Sequence, residues 1–568
     1  MTDQPRLDLV FLWHMHQPDY RLREAGGNSR FALPWTYLHA LKDYTDMAAH
    51  LERHPSIRAV VNFVPVLLDQ IEDYAGQLES GELRDPLLAA LGQPANQPFT
   101  PAQRRTLLDS CFRSNHVTML EPYPHYKRLH ELLRHLEPQG EAALSYLADS
   151  FFHDLVTWYH LVWIGEAERR RQPLLAELLA RGEGFSQDDR LALLDLIREL
   201  MAGLIPRYRA LAEAGRLEIS ATPYAHPLAP LLIDFGSARE AWPDVQLPRS
   251  PAYPGGRTRT RAHLERALGS QVRRFGSTPA GMWPAEGAIS TPLLQMMGDA
   301  GVRWAACSET VLANTLRQAG ANLHDRHHWL YRPYEIEGAN GLQMVFRDER
   351  LSDLIGFEYS KWHGRDAANH FIAELENIAR AAPAGDPPLV CVILDGENAW
   401  EYYPYNAYYF FEDLYSALEQ HPFIRTTTLA EYQARTPARA GRLAGVTAGS
   451  WVYGTFSTWI GDPEKNHAWE LLCAAKQSYD LVTQSGRLTE AEQRAAEAQL
   501  TVCESSDWFW WFGGYNPPMA VESFDRLYRE NLKRLYEALQ LSPPAELDQP
   551  ISRGGGSAES GGTMRRAT

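Results

Sequence analysis

Short apolar runs that stop at a polar residue alternate with longer stretches of helical period along much of the chain. Positions 7–13 (LDLVFLW), 57–63 (IRAVVNF) and 217–221 (LEISA) read as strands. So do a short piece at 281–283 and the runs at 302–307, 344–347, 389–394 and 423–427. Apolar residues three and four apart predict helices over 36–54, 66–74, 257–268, 291–300, 367–381 and 408–420. Strand–helix–strand alternation predicts an α/β fold with parallel strands and right-handed crossovers. The run at 389–394 is apolar and β-branched, as in a strand buried on both faces, and it ends in Asp395-Gly396-Glu397-Asn398.

Two regions break the alternation. Leu, Ala, Arg and Glu dominate from about 80 to 214, which predicts a helical insertion between two strands. After a linker at 437–450, residues 451–545 read as a mainly helical domain, interrupted at 513–518 (GGYNPP). The expected domains are therefore 1–436 with its insertion, the linker, 451–545, and a Gly/Ser-rich tail at 552–568 expected to be disordered.

Composition narrows the function. A net charge of −16 disfavours nucleic acid and anionic membranes as partners and is compatible with a neutral substrate. Five scattered cysteines without CxxC spacing predict buried thiols in a reducing compartment. The N-terminus has no basic region before its short apolar run, so a cytoplasmic protein is expected. The 16 Trp, 26 Tyr and 20 Phe fill core for the most part, but Trp at strand ends is also a platform for sugar rings.

Chemistry-bearing residues cluster just after predicted strands: His14 and His16, Glu218 with His226, Glu286, and Asp395 with Glu397. Parallel strands present these ends on one face. Two carboxylates from different strands, Glu286 and Asp395, suit glycoside cleavage, in which one attacks the anomeric carbon and the other serves as acid and then base. His14 and His16, two apart on a strand, share a face and could be a metal pair. No HExxH motif accompanies them, and no metal or other cofactor is expected.

The motifs HMHQP at 14–18, GRLEI at 215–219, WPAE at 283–286, DGENAW at 395–400 and WIGDPEKN at 459–466 together resemble glycoside hydrolase family 57, in that family's order. The resemblance covers about residues 7 to 540, and its first and fourth motifs look most like the amylase and amylopullulanase branch. It implies a distorted (β/α)7 barrel with a helical C-terminal domain that completes the cleft. It also implies retaining chemistry on α-glucans: starch, glycogen or maltodextrin, cut at α-1,4 and in some members α-1,6 bonds. Glu286 maps onto the nucleophile and Asp395 onto the acid/base. His14, His16, Glu218, Trp283 and Trp400 map onto the donor-sugar site; His226, Glu397, Trp459, Asn466 and Asp507 complete the expected substrate-binding set. One segment departs: after the aromatic run at 508–511, two acids and a histidine usual in that branch give way to Gly513-Gly514-Tyr515-Asn516. Three other readings remain open: a 4-α-glucanotransferase using the same residues, a non-catalytic glycan-binding protein, and a metal-dependent deacetylase on a related barrel.

Overall fold

The structure, a computed structural model, describes residues 7–23, 29–383, 385–436 and 439–556. Seven parallel strands close into a barrel. They are β1 (Leu7–Met15), β2 (Ala59–Phe63), β3 (Leu217–Ala221), β4 (Gly281–Met282), β5 (Trp304–Ser308), β6 (Gln343–Arg347) and β7 (Leu389–Asp395). Each pairs with the next, β7 pairs with β1 along its whole length, and Cys391 opposite Arg347 joins β7 to β6. β1 is buried throughout and β7 up to its last residue, as expected of strands with helices outside and side chains inside.

The barrel interior is packed with apolar side chains. Val10, Leu12, Val60, Trp283, Trp304, Ala306, Val345, Cys391 and Ile393 fill it. Leu429 and Tyr432, from the helix Leu429–Arg435, join them at the end where the strands begin. Around the ring lie the crossover helices, among them Thr45–Arg53, Gly256–Phe275, Thr291–Asp299, Glu309–Gln318 and Gly364–Ala381. The connection from β2 to β3 is helical for most of its length, from Pro65–Ser80 to Gln187–Glu213. Four further helices, Pro463–Gln484, Glu490–Cys503, Asp507–Trp511 and Pro518–Ala538, follow the barrel.

The expected strand at 423–427 forms as Ile424–Thr426, but it pairs only with the first residues of β1 and is not a member of the ring. The start of the expected disordered tail is instead held in place. Ser552 is buried and donates to Glu464 Oε2 at 2.6 Å, and the Gly555 and Gly556 N–H groups donate to Asn516 O at 3.1 and 3.0 Å. The remainder of that tail, 557–568, lies outside the described residues, as do linker positions 437–438. All five cysteines are buried and free. No helix among the described residues is long and apolar enough to cross a membrane.

Candidate active site

The register of the barrel brings polar strand ends together. His14, next to last in β1, lies opposite Asp395 of β7 on one side and Asn62 of β2 on the other. Directly after β7 the chain must turn against β1: the Gly396 N–H donates to His14 O at 2.6 Å, and a Cβ on Gly396 would overlap the Met15 sulfur. A larger residue there would have to displace the Met15 side chain, which accounts for glycine after Asp395 in the motif.

Glu286 sits in a tight turn after β4 and adopts φ 59° and ψ 22°, a left-handed conformation uncommon for a residue with a side chain. Gly287 follows at φ 56°, packed under the Trp283 and Trp451 side chains. His226, after β3, is also left-handed at φ 58°. Its loop is fixed by the Ser506 N–H donating to His226 O at 2.9 Å.

These ends line one cleft. Its polar wall contains Glu286, Asp395, Glu397, Asp507, His14, His16, His226 and Arg347, and its apolar wall Phe357, Trp451, Trp510, Trp511 and Phe524. Glu286 is held at both carboxyl oxygens: Trp451 Nε1–H donates to Oε2 at 3.2 Å, and Ser506 Oγ lies 3.3 Å from Oε1. Asp395 accepts from the Asn398 amide at 3.0 Å. Glu397 accepts from Gln17 at 3.4 Å, and its other oxygen is buried without a partner among the described residues.

Burial and neighbouring acids dominate the electrostatics. Loss of water, then the charges of Asp507 and Asp395, push the Glu286 carboxyl up to about 8. Burial raises Asp395 to about 6, opposed by the Asn398 hydrogen bond and by Arg347. Burial also raises Asp507, and raises Glu397 well above the usual carboxyl range. The imidazoles move the other way: burial lowers His14 and His16 to about 3 and His226 well below its ordinary value, so all three are neutral near pH 7.

His16, His226 and Asp507 bring ligand-type atoms within 4.8 Å of one another. Those side chains are already engaged with protein partners. His16 Nε2 meets both Asp507 oxygens at 2.9 and 3.0 Å, His226 lies against Ser506 and His14 at 2.9 and 3.2 Å, and Ser505 bonds Asp507. These contacts make the trio a hydrogen-bonded part of the cleft wall.

The sequence model for glycosyl hydrolase family 57 matches residues 10–441. The chain belongs to that family.

Solved structures agree on the fold. A family 57 branching enzyme from Thermococcus kodakaraensis is 14% identical, with 94% of this chain and 90% of that one covered at a TM-score of 0.56. An alpha-amylase from Thermotoga maritima is 12% identical, with 94% and 93% covered at 0.55. A 4-alpha-glucanotransferase from Thermococcus litoralis is 14% identical, with 94% and 60% covered at 0.50. No curated protein matches this chain in sequence.

Of the residues singled out in sequence, Glu286, Asp395, His14, His16, His226, Glu397 and Asp507 converge on the cleft. Five others do not line it. Glu218, near the start of β3, accepts from Trp304 Nε1 at 2.7 Å and from the Ala430 N–H at 2.9 Å, towards the opposite end of the barrel. Trp283 is fully buried beneath the cleft, its ring 5.1 Å from Trp451 and 6.1 Å from His14. Trp400 packs outside the ring against Trp13 and Phe411 and props the Asp395 turn through Nε1–H to Gly396 O at 2.8 Å. Trp459 is buried behind Trp510, and Asn466 ties Gly461 N–H to Gln246 O.

The cleft also uses residues not foreseen. Arg347 ends β6, so the rule that polar strand ends carry chemistry points to it; it pairs with Asp353 at 2.8 Å. Trp510 and Trp511, from the aromatic run at 508–511, form part of the wall. Trp451 lies on a loop that nothing in its own sequence marks. The departing segment does not line the cleft but supports it: Asn516 Nδ2 donates to Trp510 O and Trp511 O, both at 3.0 Å, and Tyr515 Oη donates to Trp510 O at 2.8 Å.

Proposed function

We propose that the chain is a retaining glycosidase acting on α-glucans, with Glu286 as nucleophile and Asp395 as acid/base. The observation that carries this is the meeting of two acids, buried Glu286 and half-buried Asp395, from strand ends far apart in sequence, in one aromatic-walled cleft. Retaining cleavage needs a fixed carboxylate on one face of the sugar and a proton-donating carboxyl at the leaving oxygen. Glu286, clamped by Trp451 and Ser506, is the more rigidly aimed of the two. It attacks the anomeric carbon while Asp395 protonates the departing oxygen. Asp395 then takes a proton from water, or from a sugar hydroxyl, as that oxygen displaces Glu286. The names of the amylase, branching and glucanotransferase structures point to α-glucans.

The free cleft keeps the pair's last proton on Glu286, which faces two acids, whereas Arg347 and Asn398 favour ionised Asp395. Turnover then draws on the minority form of the singly protonated pair, with the proton on Asp395. The same order of protonation favours a second reading, in which Asp395 attacks and Glu286 is the acid.

A reducing-sugar assay on amylose, pullulan and glycogen tests the activity, and product chromatography separates hydrolysis from transfer, which yields longer chains. Glu286→Gln and Asp395→Asn should each lose at least about 10²-fold in kcat. Near-normal turnover in either variant would remove that residue from the mechanism.

A further inference from the structure

From Glu286 a file of polar side chains runs along the cleft wall and ends behind it on β2. Ser506 Oγ lies 3.3 Å from Glu286 Oε1, and His226 Nδ1 lies 2.9 Å from Ser506 Oγ. His226 Nε2 and His14 Nε2 are 3.2 Å apart, and His14 Nδ1 is 2.6 Å from Asn62 Oδ1. All five residues are buried. Asn62 does not line the cleft. Its amide is held by the Thr222 hydroxyl, which donates to Oδ1 at 2.8 Å, and by Ser220 Oγ, which accepts from Nδ2 at 3.0 Å.

We propose that Asn62 is a positioning residue that sets the protonation of Glu286 through the hydrogen-bond chain His14–His226–Ser506. The proposal rests on Glu286 being one of the two reacting acids.

The polarity of the chain follows link by link. A carbonyl oxygen only accepts, so a neutral His14 facing Asn62 Oδ1 carries its hydrogen on Nδ1 and leaves Nε2 as an acceptor. His226 must then donate from Nε2, and its Nδ1 accepts from the Ser506 hydroxyl. That hydroxyl has no second hydrogen for Glu286. The contact between them is satisfied when the Glu286 carboxyl is protonated and donates to Ser506 Oγ. Burial keeps both histidines neutral and Glu286 protonated near pH 7, in agreement with this polarity.

Other charges bear on the two ends: Asp395 and Asp507 on Glu286, with Arg347, Asp353 and Glu397 elsewhere on the cleft wall, and His16, His226 and Asp507 on His14.

The test is Asn62→Asp, measured as the pH dependence of kcat/KM on a maltooligosaccharide. If ionised, the new carboxyl favours the His14 imidazolium; if protonated, it donates to His14 Nδ1. Either form reverses the chain and turns the Ser506 hydroxyl towards Glu286. The alkaline limb, which reports loss of the last proton from Glu286, should fall by about one pH unit or more. In a Ser506→Ala background the same substitution should leave that limb in place. A negative charge acting only through space would move the limb upward in both backgrounds. An upward shift, no shift, or a fall that persists without Ser506 overturns the proposal. If the Asn62→Asp protein does not fold, nitrogen-15 shifts of the unsubstituted protein decide the matter: hydrogens on His14 Nδ1 and His226 Nε2 support the chain, and the opposite tautomers refute it. Failure of Glu286→Gln to reduce turnover would instead overturn the underlying reading.

Discussion

Trp451 grips Glu286 at both ends: its indole N–H donates to Oε2 at 3.2 Å and its backbone N–H donates to the Glu286 carbonyl at 3.1 Å. A loop beyond the last barrel helix thus holds the left-handed turn after β4, joined there also by the antiparallel bridge of Ile289 with Gly449. The indole is a hydrogen-bond donor to a carboxylate in a site that gives it few others. Trp451→Phe keeps the ring and removes the donor. It should raise the Glu286 pKa further and lower kcat/KM about 10-fold near pH 7, with little change in melting temperature. Steady-state kinetics with a thermal melt checks this; a large fall in melting temperature with unchanged kinetics would assign Trp451 to stability instead.

The acid pair sets the pH profile. Activity requires one proton shared between Glu286 and Asp395, so kcat/KM should be bell-shaped. It falls on the acid side as Asp395 protonates, near pH 6, and on the alkaline side as Glu286 loses its proton, near pH 8. A profile flat from pH 5 to 9 would show that these carboxyls do not limit the reaction.

Glu286 burdens the fold it serves. Its folded pKa of about 8 lies above the ordinary 4.5, so the protein is stabilised by the protonated form below about pH 4.5. That contribution is lost as pH rises through 8. Glu286→Gln has no such titration. Its stability advantage should be near zero at pH 4.5 and grow to a limit on the order of 5 kcal/mol above pH 8. Denaturant unfolding of both proteins across this range measures it; an advantage that shrinks with rising pH would contradict the burial argument.

Strand ends were the readable part of this protein. The seven ring strands appear in sequence as apolar runs because both faces are buried, and the residues that stop them, such as His14 and Asp395, necessarily share one rim. Even β4, two residues long, is marked by the WPAE that follows it. Side-chain direction was not readable. Glu218 and Asn62 both lie on strands, yet Glu218 lies low on β3 and bonds Trp304, while Asn62 reaches His14 behind the cleft. Nor does a tryptophan announce whether it is wall or filler: Trp283 and Trp400 support the site from behind, and Trp451 and Trp510 line it. Contacts such as those of Ser506 join residues more than 200 positions apart, which no local pattern encodes.

Trapping the covalent intermediate tests the central claim most directly. A fluorinated α-glucosyl fluoride that forms the glycosyl-enzyme quickly and hydrolyses slowly should leave one sugar on the protein, and peptide mass mapping locates it. The account predicts an ester on Glu286. A label on Asp395 would exchange the two roles, and the absence of any covalent adduct during turnover would contradict the double-displacement mechanism.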